Sequence, residues 1–586
     1  MPGAAFSVEG AMQQIQALYQ EKLTRSPAQT KIDSQLLLMR DTDGFSIRQV
    51  SVPLRRHIAL DASGRVEVDI TARVSDGLLA AIEGHGGVIV NSVPRFNSIR
   101  AWLPLRSLEG LAEDDAVTNI RPADQYMLQM INTTEGDVAH ATNIARSQFQ
   151  VDGSGTLTCA MSDSVDALAD LQTSGDLPPG VTVLPGQSGN PGTSEGTALL
   201  EIIFDMAPGA DLAFATGSGG AAQMAQNILD LAALGCNIIV DDVLYLNEGV
   251  FQDDIIAQAV ESVVADEVMY ITSAGNSGNL SNGTAGVWEG DFAATALPAP
   301  LNGAGLAAHD FGGGENGNTI TIDSPFFFTL QWADPLDGSG NDYDLFMLDS
   351  TLNTVLAAST NTQNGSQDPF EFIDSQAADD TNNRLVIVQF SGEARFLHLN
   401  THRGQLDIGT DGQIFGHPAA ANAITIAAVN VATAAGAPFA GGAANPVEVF
   451  SSDGPRRIFF NANGTPVNGA NRGTMSVIRN KPDLTAADGV STATPGFNPF
   501  FGTSASAPHA AGIAALMREL ASTNLPQTGL FVNDATDILN STALDIETPG
   551  FDRDSGNGII MGDASLNDVP IFSDGFESGD TAAWSN

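Results

Sequence analysis

The sequence predicts an α/β fold, and three observations lead to that prediction. Apolar strand-like runs such as Thr156–Met161 and Asn237–Val240 alternate with helical patterns such as Ala221–Ala233. Acidic residues stand directly after two of these strands, at the strand ends where open α/β sheets place their ligand crevice. Glycine is abundant, with 61 residues, which is typical of a fold with many tight loops.

A second, smaller α+β domain is predicted ahead of this fold. Its segments follow the order β-α-β-β-α-β, which is the order of the ferredoxin-like split unit. The predicted elements are a strand at Val66–Ile70, a helix at Asp76–Glu83, strands at Val88–Val90 and Ser98–Leu103, a helix at Leu105–Leu111 and a strand at Val117–Ile120.

Composition excludes several classes of partner. The chain has 24 Lys and Arg against 69 Asp and Glu, a formal net charge of −45, which repels nucleic acid and anionic membranes. No run of eighteen apolar residues predicts a membrane span, and residues 1–10 lack the pattern of a signal peptide. The two cysteines, Cys159 and Cys236, lie in or beside apolar strands, where buried free thiols are the default expectation and a single bridge is the alternative.

The stretch Gly502–Gly512 places Ser504 at the first turn of a helix, where free N–H groups favour developing negative charge. An ordinary helix cap would explain Gly-Thr-Ser alone, but the eleven residues Gly-Thr-Ser-Ala-Ser-Ala-Pro-His-Ala-Ala-Gly resemble the nucleophile motif of the subtilisin-like serine proteases. The resemblance implies that Ser504 is a nucleophile. It also implies the fold of that family, a parallel seven-stranded sheet with flanking helices.

Two further landmarks support the resemblance. Asp163 follows a buried strand and matches the catalytic aspartate of the family, with Asp166 as a competitor further from the strand end. The segment Met269–Gly278 is similar to the strand and turn whose asparagine, here Asn276, completes the oxyanion hole. The resemblance further implies a set of substrate-binding residues: Ser273, Gly275 and Thr503.

The general base departs from the subtilisin pattern. Where the family has His-Gly-Thr, this chain has Glu195-Gly196-Thr197, and no histidine occurs between His140 and His309. A glutamate base resembles the sedolisins, which also carry an aspartate one helical turn later. That position is Leu199 here, so we expect the orienting acid to be Asp163. A helix-terminal carboxylate without catalytic role is the alternative for Glu195.

Asp242 and two histidines are further candidate residues of the predicted catalytic domain. Asp242 ends the strand Asn237–Val240, where it is either an accessory acid near Asp163 and Glu195 or a solvated loop residue. If the acids cluster, their repulsion raises at least one pKa. His417 and His509 each lie beside a proline at an element boundary and are expected to be structural.

Residues 303–407 alternate as short strands between Gly, Asn and Asp turns, which predicts a β-sandwich inserted into the catalytic domain. Four aspartates there have the oxygen ligands that Ca²⁺ prefers, but their spacing matches no defined calcium loop. We therefore expect no cofactor, and expect these residues to be solvated turn acids: Asp334, Asp337, Asp342 and Asp344.

These observations divide the chain into six segments. They are an N-terminal helix and linker at 1–60, a domain similar to an inhibitory propeptide at 61–126, the catalytic domain at 127–302 and 408–545, the insert at 303–407, and a tail at 546–586. The tail stretch 574–585 resembles a terminal signature of proteins exported by Gram-negative bacteria.

The expected function is that of a secreted serine endopeptidase with Ser504 as nucleophile and Glu195 as base. We expect acid activity, since a free glutamate titrates near pH 4.3. We also expect autoprocessing of a zymogen around 122–135, inhibition by the propeptide, polypeptide substrates and a monomer. The alternatives are an inactive subtilisin-like binding module and a carbohydrate- or surface-binding role for the insert.

Overall fold

The structure is a computed structural model, and it describes residues 25–32, 36–37, 60–61, 63–94, 98–122, 134–298, 301, 306–324, 327–352, 355–361, 363–374, 379–467, 476–525 and 529–570. The helix expected in residues 11–24, most of the processing segment and the tail signature lie outside the described residues. The chain divides into two compact units, Met1–Leu128 and Gln129–Asn586. No helix in the described ranges is long and apolar enough to cross a lipid bilayer.

The first unit contains a four-stranded antiparallel sheet with two helices. Its elements are β1 (Arg65–Ala72), α1 (Asp76–Gly84), β2 (Val88–Val93), β3 (Ser98–Pro104), α2 (Leu108–Ala112) and β4 (Val117–Pro122). The strand order β2-β3-β1-β4 is that of the ferredoxin-like split unit. Alternation along β1 buries Val66, Val68 and Ile70, and the Ser75 hydroxyl caps α1 by accepting from the Leu78 N–H.

The second unit is built on a seven-stranded sheet in which every neighbouring pair is parallel. Its strands are β5 (Leu157–Ser162), β6 (Thr182–Val183), β7 (Asp211–Thr216), β8 (Ile238–Asp241), β9 (Met269–Ser273), β21 (Ile424–Asn430) and β24 (Leu484–Asp488), in the order β24-β21-β9-β8-β5-β7-β6. The predicted α/β fold with a parallel seven-stranded sheet is confirmed.

Helices accompany this sheet along the chain. They are α3 (Gly136–Ala139), α4 (Thr142–Phe149), α5 (Leu168–Ser174), α6 (Glu195–Met206), α7 (Ala221–Leu234), α8 (Ile255–Ala265), α9 (Thr503–Asn524), α10 (Val532–Thr542) and α11 (Gly562–Asn567). Helices α6 and α9 pack directly on each other. They are so close that a Cβ on Gly512 would lie 2.3 Å from Cβ of Met206, which leaves room only for glycine. A Cβ on Gly196 would lie 2.3 Å from the Phe214 ring of β7. These two glycines permit the close packing of the helices that begin at Glu195 and Thr503.

Two antiparallel sheets occupy the predicted insert. Their strands are β10 (Val287–Asp291), β11 (Ala294–Thr295), β12 (Ala307–His309), β13 (Asn318–Ile322), β14 (Phe327–Trp332), β15 (Asp342–Leu348), β16 (Val355–Ser359), β17 (Phe370–Asp374), β18 (Arg384–Ser391), β19 (Phe396–Asn400) and β20 (Gln405–Leu406). One sheet has the order β10-β19-β14-β17, and the other contains the remaining strands. Leu330 and Leu397 of the first share an apolar core with Leu345 and Ile387 of the second.

The start of this region differs from the predicted boundary at 303. Because β10 pairs with β19 over its whole length, the sheets begin at Val287. A short hairpin, β22 (Arg456–Ile458) with β23 (Val477–Arg479), follows in the second part of the catalytic domain.

The default expectation of free thiols is wrong. Cys159 and Cys236 form a disulfide with their Cα atoms 6.0 Å apart. Cys159 lies on β5 and Cys236 just ahead of β8, its neighbour in the sheet. The bond therefore joins the strands that end next to Asp163 and Asp242.

Candidate active site

Ser504 is the second residue of α9. Gly502 precedes the helix with φ +109°, a conformation that favours glycine, and its N–H donates to Oδ2 of Asp488 at 3.0 Å. Burial raises the pKa of Asp488 to about 7. Ser504 lies in the first turn of the helix, where backbone N–H groups have no intrahelical acceptor and can donate to a ligand. The residue is 8% exposed.

Glu195 is the first residue of α6, and its carboxyl meets the nucleophile. The Asp242 carboxyl and the Ser504 hydroxyl are the side chains that act most directly on this carboxyl. Burial raises the pKa of Glu195 above its usual range, the interactions with Asp242 and Ser504 oppose that rise, and the negative charge of Asp163 adds to it. The nearby positive charge of Arg403, in the loop between β19 and β20, lowers it. Ser194, just before the helix, has φ 73°, a strained backbone of the kind found at functional sites.

Asp242 directly follows β8 and faces Glu195. Its pKa is raised well above the usual range, first by burial and then by the negative charge of Glu195, and the Ser162 hydroxyl opposes the rise. Neither of its buried carboxyl oxygens receives a hydrogen bond of good geometry from a described residue. Two adjoining buried carboxyls share one proton most favourably, since two negative charges would repel each other there. The pair then carries one negative charge.

Asp163 is used differently from the expectation that it orients the Glu195 carboxyl. Its Oδ1 accepts from the N–H of Ser164 at 2.5 Å and of Glu195 at 3.0 Å. Its Oδ2 accepts from the Thr193 hydroxyl at 2.6 Å and also from the Thr193 N–H. Asp163 therefore caps the N-terminus of α6 and fixes the backbone of Glu195, while Asp242 contacts the Glu195 side chain. The competing Asp166 accepts from the Gly192 N–H at 2.9 Å.

Asn276 follows β9 and lies against the start of α9. Its Oδ1 accepts from both the N–H and the hydroxyl of Thr503, each at 3.0 Å. Two donors on one atom identify that atom as the oxygen, so the amide nitrogen is the group that can donate outward. That nitrogen lies 3.2 Å from the place a Cβ on Gly502 would occupy. A neutral N–H donor is thus held beside the N-terminus of the nucleophile helix.

The three residues expected to bind substrate have different surroundings. Ser273 ends β9 and is 8% exposed. The N–H of Gly275 donates to the Thr503 hydroxyl at 3.1 Å. Thr503 is fully buried, so it positions Asn276 and Gly275 and does not reach a substrate.

The two histidines expected to be structural are buried with both ring nitrogens occupied. His509 contacts the Ala505 carbonyl at 2.7 Å and the Thr134 hydroxyl at 2.8 Å, and burial lowers its pKa well below the usual range. His417 contacts Asp241 and Glu248. No local pattern in the sequence indicates these carboxylate partners of His417, because they lie far from it along the chain.

The aspartates considered for calcium are mostly not solvated turn acids. Asp334 is buried and pairs with Nε of Arg395 at 2.8 Å. Asp342 and Asp344 are buried on β15, and burial raises the pKa of Asp344 to about 7. Within the described ranges, no group of three or more His, Cys, Asp or Glu side chains could hold a metal ion.

Comparison with known proteins finds a family match for the segment that contains Ser504. Residues 343–558 match the model of the Subtilase family. No curated protein sequence matches the chain.

Several solved structures are similar to this one at low sequence identity. The CspB protease of Clostridium perfringens is 12% identical, with 73% of this chain and 99% of that chain covered and a TM-score of 0.46. Fervidolysin from Fervidobacterium pennivorans, a keratinolytic enzyme related to subtilisin, is 13% identical, with 88% and 63% covered and a TM-score of 0.31. The epidermin leader peptide processing serine protease of Staphylococcus aureus is 11% identical, with 86% and 100% covered and a TM-score of 0.34. The sequence match to the Subtilase family, over the segment that carries Ser504, supports a serine endopeptidase, a hydrolase of peptide bonds.

Proposed function

We propose that this protein is a secreted, acid-active serine endopeptidase in which Ser504 is the nucleophile and Glu195 the general base. The observation that supports the proposal is that the Glu195 carboxyl interacts with both the Asp242 carboxyl and the Ser504 hydroxyl. A base in hydrogen-bond contact with the nucleophile, with a third group that orients the base, is the arrangement that nucleophilic catalysis requires.

In the proposed reaction, ionised Glu195 removes the proton of Ser504 as Oγ bonds to the carbonyl carbon of the substrate. The resulting oxyanion accepts hydrogen bonds from the Ser504 N–H and the Asn276 amide. Protonated Glu195 then gives its proton to the leaving amine as the C–N bond breaks. Water attacks the acyl-enzyme by the same steps and releases Ser504. Neutral Asp242 donates to Glu195 while Glu195 is ionised. The pair carries one negative charge at rest and none after Glu195 has taken the Ser504 proton, when the negative charge lies on the oxyanion.

The pair also sets the expected pH profile. On the acid side, activity falls when Glu195 becomes protonated and can no longer act as base. On the alkaline side, it falls when Asp242 loses its proton and the two buried carboxylates repel each other. The optimum lies between the two macroscopic pKa values of the pair.

We further propose that the ferredoxin-like unit is a propeptide that inhibits the zymogen, and that Ser504 releases it by autoprocessing. Its position ahead of the catalytic domain and its strand order support this role. The net charge of −45 supports an extracellular protein, and we propose a monomer.

The test compares purified full-length protein with three variants at intervals from pH 3 to 8, using gels, mass spectrometry and an unrelated unfolded protein as substrate. We expect wild type and the control Asp166→Asn, which changes a nearby exposed acid, to lose the first unit and to digest the substrate fastest at an acidic pH above the ordinary glutamate pKa. We expect Ser504→Ala and Glu195→Gln to remain full length and inactive. A Glu195→Gln variant with wild-type activity, or a rate that peaks at neutral pH, would contradict the proposed mechanism.

A further inference from the structure

His417 lies in a buried cluster of charges beside the active site. Its Nε2 is 3.0 Å from Oδ1 of Asp241, and its Nδ1 is 2.9 Å from Oε2 of Glu248, with all three side chains at most 1% exposed. Because both ring nitrogens face carboxylate oxygens, both carry protons and the ring is an imidazolium. Burial alone would lower its pKa, but the two carboxylates outweigh burial and raise it to about 10.

Both carboxylates also hold the backbone that follows Asp242. Oδ1 of Asp241 accepts from the Val243 N–H at 3.2 Å, which closes a turn around Asp242. Oε1 of Glu248 accepts from the Tyr245 N–H at 3.0 Å. A single cation therefore fixes the two groups that shape the turn 241–248.

Asp242 depends on this turn because its own carboxyl oxygens lack well-formed hydrogen bonds in the described structure. Contact with Glu195 is then maintained by the backbone that carries Asp242. We propose that His417 is a positioning residue, which holds the turn 241–248 and thereby keeps the Asp242 carboxyl against Glu195. This inference rests on the proposed roles of Glu195 and Asp242.

The insert supports the same turn from its other end. Nε2 of Gln331, on β14, donates to the Glu248 carbonyl at 2.9 Å, and Oε1 of Gln331 accepts from the Val250 N–H at 3.1 Å. On β9, the Thr272 hydroxyl donates to Oδ1 of Asp241 at 3.2 Å. The titratable group that faces His417 from β9 is Tyr270, whose ring lies edge-on to the imidazole at 6.4 Å and whose pKa burial raises well above its usual range. The phenol stays neutral and leaves the two carboxylates as the partners of the cation.

The test uses the full chain, with kcat and KM for a peptide substrate measured across pH 3–8 and with melting temperatures. His417→Gln removes the charge and cannot donate to both carboxylates. We expect kcat to fall at least 10-fold with KM within 2-fold, and the alkaline limb of the kcat profile to move to higher pH as Asp242 leaves Glu195. The matched control is His309→Gln, since His309 is equally buried but its pKa is lowered to about 4, so it carries no charge. We expect this control to lower the melting temperature and to leave kcat and the pH profile unchanged.

If His417→Gln does not fold, a second pair of variants tests whether the turn 241–248 positions Asp242. Glu248→Ala removes the acceptor of the Tyr245 N–H, whereas Glu248→Gln keeps an oxygen there, so we expect at least a 10-fold loss of kcat in the first and less than a 3-fold loss in the second. The inference is overturned if folded His417→Gln keeps the wild-type kcat and pH profile, or if the two Glu248 variants have equal kcat. Glu195→Gln is measured alongside. If it is active, the proposed base is wrong and this inference is overturned with it. If it is inactive while folded His417→Gln behaves as wild type, only the positioning role fails.

Discussion

The pairing of Glu195 with Asp242 predicts an unusual response to Asp242→Asn. The substitution keeps the size of the side chain and a hydrogen-bond donor for Glu195, but it removes the second ionisable carboxyl. The donor changes from O–H to N–H, and the O–H···O⁻ bond is the shorter and stronger of the two. We take the difference as about 1 kcal/mol, on the scale of a typical hydrogen bond, which corresponds to about a 5-fold lower kcat at the optimum.

The larger effect is on pH dependence and stability. Two unit charges about 4 Å apart repel by about 4 kcal/mol at an effective dielectric constant of 20, and the variant cannot acquire the second charge. We therefore expect its alkaline limb to move upward or disappear. The pKa of Asp242 is raised in the folded state, so wild type loses stability as pH rises above the ordinary aspartate pKa. The variant avoids that loss. It gains up to about 4 kcal/mol relative to wild type at pH 7 and nothing near pH 3.

Two measurements check these expectations. Steady-state kinetics from pH 3 to 8 give the limbs of the profile, and chemical denaturation at pH 3 and pH 7 gives the free energies of unfolding. The control is Asp166→Asn, which makes the same chemical change at an exposed acid and should alter neither quantity. An unchanged alkaline limb together with no gain in stability at pH 7 would refute the pairing of the two carboxyls.

The oxyanion donor, the disulfide and the buried titratable groups each predict a measurable effect. Asn276→Ala should lower kcat by about 10²–10³-fold with little change in KM, because it removes a donor to the oxyanion, and an unchanged kcat in steady-state assays would exclude that role. Replacing both Cys159 and Cys236 by serine should cost about 4 kcal/mol of unfolding free energy for a bond that spans 77 residues, measured by denaturation with and without reductant. The pH dependence of stability should be weak between about pH 4 and 7, checked by melting temperature from pH 3 to 9. Over this range two effects of rising pH oppose each other: the unfolded state loses protons that folded carboxyls with pKa about 7 retain, which lowers stability, and it releases protons from histidines that stay neutral when folded, which raises stability. The carboxyls are Glu201, Asp344, Asp453 and Asp488, and the histidines are His140, His309, His398 and His402.

The fold could be predicted from the sequence because its signals are local. The apolar run of β8 and the small residues at the start of α9 each specify an element without reference to the rest of the chain. The partner of Glu195 could not be settled in this way. Asp163 and Asp242 both follow buried strands, and only the direction of each side chain in the structure distinguishes the cap from the acid that meets Glu195. The disulfide and the charges around His417 join positions 77 to 176 residues apart, which no local pattern reveals.

In the proposed mechanism, a glutamate takes the place of the histidine base of the subtilisin-like proteases. This difference explains why the acids around the base are arranged differently here. A histidine base presents an N–H to its third partner, and an ionised aspartate accepts it. A glutamate base presents oxygens only, so its partner must bring a proton, and an acid keeps its proton at working pH only where burial raises its pKa. Asp163 is used otherwise, since its oxygens accept hydrogen bonds from backbone N–H groups and the Thr193 hydroxyl.

The helix of Glu195 cannot supply such an acid either. Leu199, one turn after Glu195, is fully buried in the apolar core, where a carboxyl would replace packing against other side chains. The end of β8 does supply one, since Asp242 is buried next to Glu195 and has no good hydrogen-bond donor among the described residues. The acid that partners the proposed base therefore comes from the residue that follows the strand, and we propose that the turn held by His417 maintains its position.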